Sequence, residues 1–238
     1  MDTLSPTPRS TVRRGRNRAV TDRAALHALL ADGLVAHLGV DVGDGADRHP
    51  VVLPCAYAVD LDGPDDGGTL YVHGSVAARW LVGATDATVC VTVTELEGLV
   101  LARSGFHHSM NYRSAVVIGR ARFVTDDAER ARALDAIVDH MAPGRSATLR
   151  PATRKELAAT AVLAVPLREA SMKARAGAPV DDPADVAAGG WGGHVPVRRV
   201  VGAPVPDADT REPVPAHVVA LGGSSPHHRE VVASSAGQ

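Results

Sequence analysis

Ser75 and Arg79 are the residues whose types and spacing most readily do chemistry. They stand in Leu70–Trp80, LYVHGSVAARW, which reads as a short strand from Leu70 to His73, a glycine turn at Gly74 and a helix opening at Ser75. Such a junction presents free backbone N–H groups and the positive end of the helix dipole to whatever lies in front of it. Ser75 can cap the helix, and Arg79, four residues on, falls on the same face one turn up. Amides, a hydroxyl and a guanidinium converging on one point suit a phosphate group. The alternative is an ordinary strand-to-helix turn carrying a surface arginine.

The other reactive residue types form no recognisable centre. His107 and His108 are adjacent, so on a strand they point to opposite sides and cannot face one metal together. His27 and His37 lack a second ligand at useful spacing, and these histidines are expected to be solvated or packed. Cys55 and Cys90 each fall inside an apparent strand, without the paired spacing of a metal site or disulfide framework. Buried free thiols are expected, in keeping with a reducing cytoplasm. No Ser/His/Asp set has motif support, and both a GxGxxG fingerprint and a P-loop are missing.

With 238 residues the chain can form one generous domain or two small ones, with a substantial core. A formal charge of −2 gives no global attraction to nucleic acid or membrane surfaces, and 3% aromatic residues argues against a base-stacking platform. No apolar run approaches the length of a membrane span, and the N-terminal arginines are not followed by an apolar segment, so no secretory signal is expected. The Arg-rich stretch from Arg9 to Arg18 could touch phosphates, but residues 1–20 lack periodicity and read as a disordered arm.

Several elements must position the Ser75–Arg79 corner. Thr21 caps a helix carrying Leu26, Leu29 and Leu30, which Gly33 stops. The period then shifts to that of strands: Leu34–Val40, and Pro50–Asp60 with Val51, Leu53, Cys55, Tyr57 and Val59 on one face. The other face, Val52, Pro54, Ala56 and Ala58, is small enough for something flat to lie against it. Pro54 cannot donate to a ladder, so an edge or bulge belongs there. The loop Asp62–Gly68 makes a hairpin into Thr69–His73, and a helix over Ser75–Val82 follows. Ala87–Thr94 alternates as a half-buried strand, Glu97–Gly98 turns into Leu99–Ser104, a polar knot follows over Phe106–Ser114, and Ala115–Val124 is a strand with Gly119 marking a bulge or close approach. Asp126 with Glu129 resembles a capping box opening Asp127–Met141, whose stripe is Leu134, Ile137, Val138 and Met141. Thr153 with Glu156 caps a short helix, Thr160–Leu167 is a strand, another starts near Trp191–Val197, and 201–238 reads as a disordered or extended tail. The sum is a mainly β fold with peripheral helices (α+β). It has six to seven antiparallel strands in residues 21–200, and closure into a barrel would remove exposed edges.

The ordered segments VAHLGV, VVLPCAYAV, LYVHGSVAARW, VCVTVT and MNYRSAVVIGRARFV resemble the pyridoxamine 5′-phosphate oxidase-like family of FMN-binding split barrels, nearest the branch of nitroimidazole-resistance proteins. The resemblance spans roughly Thr21 to Gly177. It implies a homodimer with two FMN sites where the subunits meet. His73, Gly74, Ser75 and Arg79 would hold the FMN phosphate and part of the ribityl chain, with Arg79 standing where relatives often carry Lys. Pro54, Ala56 and Tyr57 would line the ring. Asn111, Tyr112, Arg113 and Ser114 correspond to a second flavin-contacting segment, and Lys173 with Arg175 resembles a late basic segment near the cofactor or substrate mouth. Tyr112 is a candidate general acid or a filler of the dimer interface. Arg113 is placed to pair with the anionic cofactor or with an acidic neighbour such as Asp86. The C-terminal motif of true pyridoxamine phosphate oxidases is absent, which argues against vitamin B6 synthesis.

The function implied is a cytoplasmic FMN-dependent oxidoreductase whose reduced flavin passes electrons to a small electron-poor acceptor: a nitroaromatic, a quinone or oxygen. The alternatives are a flavin-binding or sensing protein without turnover, or a split barrel using F420 or haem in place of FMN.

Overall fold

Alternating apolar and small polar residues build two antiparallel sheets, described here from a computed structural model of residues 3–4 and 7–223. The larger sheet contains β1 (Ala19–Val20), β2 (Ala36–Val42), β3 (His49–Cys55), β6 (Thr88–Leu101), β7 (Ser109–Arg120), β10 (Ala170–Arg175) and β11 (Gly193–Pro196). Its order is β1-β10-β7-β6-β2-β3, with β11 pairing the far half of β6. The smaller sheet runs β4-β5-β9-β8, from β4 (Tyr57–Asp60), β5 (Thr69–Ser75), β8 (Arg122–Phe123) and β9 (Thr160–Pro166). Every pairing is antiparallel, and neither sheet closes on itself. Around them lie α1 (Arg23–Asp32), α2 (Arg79–Ala84), α3 (Asp127–Met141), α4 (Arg154–Ala159) and α5 (Pro183–Ala187). No helix among the described residues is long and apolar enough to cross a membrane.

The main core lies between the sheets. Val89, Val91 and Val93 of β6, Leu38 of β2 and Val117 of β7 meet Leu26, Leu29 and Leu30 of α1 and Leu70, Val72, Leu163 and Val165 of the smaller sheet. A second core forms on that sheet's other face, where Ala58, Tyr71, Val162 and Ala164 pack against Ala133 and Ile137 of α3. Buried on both faces, β5 and β9 read as continuous apolar runs, whereas β6, with one face open, alternates.

Several expected boundaries move, each for a local reason. The strand expected over Pro50–Asp60 breaks at Ala56, where the chain passes from the larger sheet to the smaller. Its first half, β3, is the sheet edge that Pro54 requires. The turn expected at Glu97–Gly98 is instead a bulge inside the 14-residue β6, between Leu96 and Gly98. The expected polar knot is largely β7, which begins at Ser109. Gly119 marks a close approach: a Cβ there would lie 2.9 Å from Val165 Cγ1. Asp22, not Thr21, caps α1, its carboxylate accepting from the Ala24 amide. Asp126 caps α3, but Glu129 is diverted to Arg122 and Tyr71, so the capping box is only half formed. Thr153 and Glu156 complete one at α4.

The described part of the arm is ordered against the barrel, contrary to expectation. Thr3 bridges Asp22, Leu4 and Ser10 are buried, Thr7 and Arg9 bond Glu169, and β1 pairs with β10. The chain divides into units Met1–Arg198 and Arg199–Gln238, and the second contains α6 (Ala216–Gly223) where only an extended tail was expected. The expected tail from residue 224 lies outside the described residues.

Candidate functional site

At the His73–Arg79 corner the local geometry departs from the expected helix opening. β5 runs on through Gly74 and Ser75, held by pairing with Ala161 and Thr160 of β9, so α2 starts only at Arg79. The amides in between are spent internally. Val76 donates to the Ala159 carbonyl at 3.1 Å, Ala77 to Ser75 Oγ at 3.2 Å, and Ala78 to the Ser75 carbonyl at 2.9 Å. Ser75 therefore closes a turn instead of capping a helix. Gly74 is required by packing: a Cβ would sit 2.9 Å from Trp80 and 3.0 Å from Leu81. His73 keeps Nδ1 buried without a hydrogen-bond partner. Arg79 is exposed and has no carboxylate partner among the described residues, and it lines a cleft of about 1580 Å³ with Arg48, His49, Trp80, Val51 and Leu53.

Ladder partners share a face, so register shows what the open face of the larger sheet carries. One row is Pro54–His37–Thr92–Val116–Ser171 and the next is Thr94–Ser114–Lys173, with Thr94 and Ser114 hydroxyls 3.0 Å apart. Beyond them come Leu96, Tyr112 and Arg175, and on the other side Cys90 opposite Gly39 and Val52. Pro54, Tyr112, Ser114 and Lys173 thus lie on one face. Pro54 is three strands from Ser114, about 15 Å at the usual strand spacing.

The remaining expected residues fall elsewhere. Tyr57 is wholly buried, its hydroxyl donating to the Leu30 and Gly33 carbonyls at 2.7 and 3.0 Å, so its ring is core and lines no open face. Ala56 packs on the second core because β4 has already joined the smaller sheet. Asn111 is buried and bridges Arg175 and the Gly177 carbonyl. Arg113 turns away from Tyr112 and Ser114 to pair with Glu97 at 2.5 Å and Asp32 at 2.9 Å, while Asp86 is 4.0 Å from Arg120. Burial disfavours the Arg113 charge, but the bonds to Glu97 and Asp32 outweigh it and hold its pKa above the ordinary value. Cys55 and Cys90 are free thiols, and burial pushes Cys55 up to about 11. His107, Asp182 and Asp185 converge within 4.8 Å on the surface, where His107 faces Asp182 at 3.4 Å.

The family model for pyridoxamine 5′-phosphate oxidase matches residues 22–174. This chain belongs to that family. No curated protein matches it. Among solved structures, the flavocytochrome Anf3 from Azotobacter vinelandii is 34% identical with a TM-score of 0.82, over 91% of this chain and 98% of that one. The FAD and heme binding protein from Mycobacterium smegmatis is 38% identical with a TM-score of 0.76, over 86% and 97%. A 5-nitroimidazole antibiotic resistance protein homologue from Bacteroides thetaiotaomicron shares the fold at 20% identity and a TM-score of 0.53, over 65% and 85%.

Within this family member, sequence reasoning missed His37, Thr92 and Thr94, which register sets beside the expected residues, and Arg48 and His49 of the cleft. Strand alternation alone identifies their face, but only the pairing register identifies their neighbours. It also missed that Arg14 and Arg18 of the arm line one cavity with Tyr112 and Lys173.

Proposed function

We propose that this chain is a flavin-dependent redox protein whose flavin ring lies on the open face of the larger sheet, with the phosphate end toward Arg79. The observation that carries the reading is the open face on which the small residues Gly39, Thr92, Thr94 and Ser114, spread over three successive rows, lie with the exposed edge residue Pro54. Arg79, with no carboxylate partner among the described residues, leaves a cation for a phosphorylated group in the cleft it lines. The family match and the flavin- and haem-binding relatives support the same reading. A bound flavin supplies hydride or single-electron transfer, and the residues here hold it, orient it and screen one face from water. The finer reading is an FMN-dependent oxidoreductase donating to a nitroaromatic, a quinone or oxygen, acting as a homodimer. Exposed Val52, Leu96, Leu99 and Met110 supply apolar area for a second copy.

Purified full-length protein is expected to be yellow, with released flavin identified by chromatography as FMN, or as FAD as in the Mycobacterium relative. Arg79→Ala combined with Ser75→Ala is expected to lower flavin content. Colourless protein indifferent to added flavin overturns the reading, and a bound flavin that no nicotinamide donor reduces restricts it to binding.

A second reading adds haem, as the names of two relatives suggest, and His49 favours it. Its Nδ1 lies 2.7 Å from the Asp47 carbonyl, which only accepts, so Nδ1 carries the proton and Nε2 keeps its lone pair. His49 lines the same cleft as Arg79, a cation suited to a carboxylate of a bound tetrapyrrole, while Arg48 there is paired with Asp41 at 2.7 Å. Loss of a Soret band in His49→Ala, with flavin content retained, is the expected result; an unchanged band removes His49 from that role.

A further inference from the structure

We propose that the N-terminal arm and the edge of the larger sheet form an anion site for the diphosphate of a nucleotide, held by Arg14, Arg18, Lys173 and the Tyr112 hydroxyl. These residues, with Gly15 and Asn17, line a cavity of about 360 Å³. No carboxylate lines it, and among the described residues Arg14, Arg18 and Lys173 have no ion-pair partner. Elsewhere the chain neutralises its arginines freely: Arg9, Arg48, Arg103, Arg113, Arg122 and Arg150 each meet a carboxylate.

The arm is fastened on both sides of this cluster. Upstream, Thr7 and Arg9 hold Glu169, and downstream Ala19 pairs with Lys173 itself. Between them Gly15 takes a left-handed φ of +65°, and Arg18 donates to its carbonyl at 3.0 Å. That reversal returns Arg18 to the cavity that Arg14 also lines. Arg175, next to the site, spends its donors on Asn111 Oδ1 and two carbonyls, so no carboxylate compensates it either. Burial first, and the charge of Arg18 after it, lower the Arg175 pKa, against a smaller opposing effect of Tyr112.

A phosphate group fits this donor set better than a carboxylate. Two guanidinium forks, an ammonium and a phenol offer more hydrogen bonds than two carboxylate oxygens accept, whereas the several oxygens of a diphosphate accept many more of them. The volume is at the small end for ligand pockets, enough for a diphosphate with its sugar and too small for a whole dinucleotide. With the flavin's phosphate end at Arg79, beside the opposite edge of the sheet, the diphosphate here is that of a nucleotide separate from the flavin, and the site does not rest on the flavin reading.

The test is calorimetric titration of the full-length protein, freed of bound nucleotide, with ADP and with inorganic pyrophosphate. Both are expected to bind at least tenfold more tightly to the unaltered chain than to Arg14→Ala/Arg18→Ala, and more weakly as salt rises. Arg14→Lys/Arg18→Lys is expected to recover part of the binding, which separates loss of charge from loss of fold. Absent binding of both ligands, or equal binding by the double alanine variant, overturns the site. Parallel titrations with FAD and FMN assign the source. Unchanged flavin affinities with ADP binding lost are expected of a separate nucleotide, and a loss confined to FAD overturns that source and moves the flavin's phosphate end here, away from Arg79. ADP binding in a chain that takes up no flavin leaves the site standing and removes the flavin reading instead.

Discussion

Tyr57 donates its hydroxyl to the Leu30 carbonyl at 2.7 Å, binding the strand that begins the smaller sheet to the last turn of α1. The same hydroxyl lies 3.0 Å from the Gly33 carbonyl, so its single proton is shared between two carbonyls where the helix ends. Tyr57→Phe keeps the ring and removes both bonds. It is expected to destabilise the protein by about 1–3 kcal/mol, the cost of leaving buried polar groups unsatisfied. A denaturant midpoint checks this, and flavin content should stay at the level of the unaltered chain.

Gly33 is a glycine because of what surrounds it, since its φ of −71° suits any residue. A Cβ would come within 2.5 Å of Val93 Cγ1 and 2.9 Å of the Tyr57 hydroxyl. Gly33→Ala is therefore expected to cost about 1–3 kcal/mol by overpacking. The double variant with Tyr57→Phe should lose less than the sum of the two, because the phenol oxygen is one of the obstacles. Additive losses in urea unfolding would contradict that coupling.

A charged cluster under α3 sets the acid limb of stability. Arg122 bonds Asp65 at 2.7 Å and Glu129 at 2.6 Å, and Tyr71 donates to Glu129 at 2.9 Å. The Arg122 bonds hold Glu129 below its ordinary pKa against burial. At Asp65 burial pulls upward, and Arg122 and Thr69 outweigh it. Carboxylates lowered on folding stabilise fully above the unfolded value of about 4 and lose that contribution as pH falls through the folded value. Burial, reinforced by Glu129, pushes Tyr71 up to about 12, so its neutral form is favoured and its contribution fades only as pH rises past about 10. Glu129→Gln is expected to lower stability by about 1–3 kcal/mol at neutral pH. The gap to the unaltered chain should narrow below pH 4, as read from melting temperature against pH; a gap independent of pH would sink the assignment.

What was legible in the sequence was whatever repeats locally. The cap at Asp126 and the stripe Leu134, Ile137, Val138 and Met141 located α3 at Asp127–Met141, and alternation in VCVTVT identified the buried face of β6. The arm was not legible, because its order comes from a two-residue strand and from Glu169, partners some 150 positions away with no local signature. The site was half legible for a similar reason. Parity placed Pro54 on a face of small residues and the family resemblance pointed to Ser114, but the break at Ala56 and the continuation of β5 through Ser75 depend on pairing with strands distant in sequence.

Arg79 and Arg113, both assigned to one anionic cofactor by resemblance, sit in opposite circumstances. Arg113 is held by Asp32 and Glu97 at 2.9 and 2.5 Å, each of them only partly exposed. Removing it takes a charge-assisted partner from each of two partly buried carboxylates, so Arg113→Ala is expected to cost about 1–2 kcal/mol, between the values for exposed and buried pairs. Arg79 is exposed and has no carboxylate to leave behind, so Arg79→Ala should change stability by less than about 0.5 kcal/mol. Binding should show the reverse order. A guanidinium engaging a phosphate contributes about 1.5–3 kcal/mol, so Arg79→Ala should weaken flavin affinity by about tenfold to a hundredfold. Arg113→Ala should weaken it little once melting is accounted for. Flavin titration and thermal unfolding on both variants separate the two, and a large affinity loss confined to Arg113→Ala would return the phosphate to β7 and away from the cleft at α2.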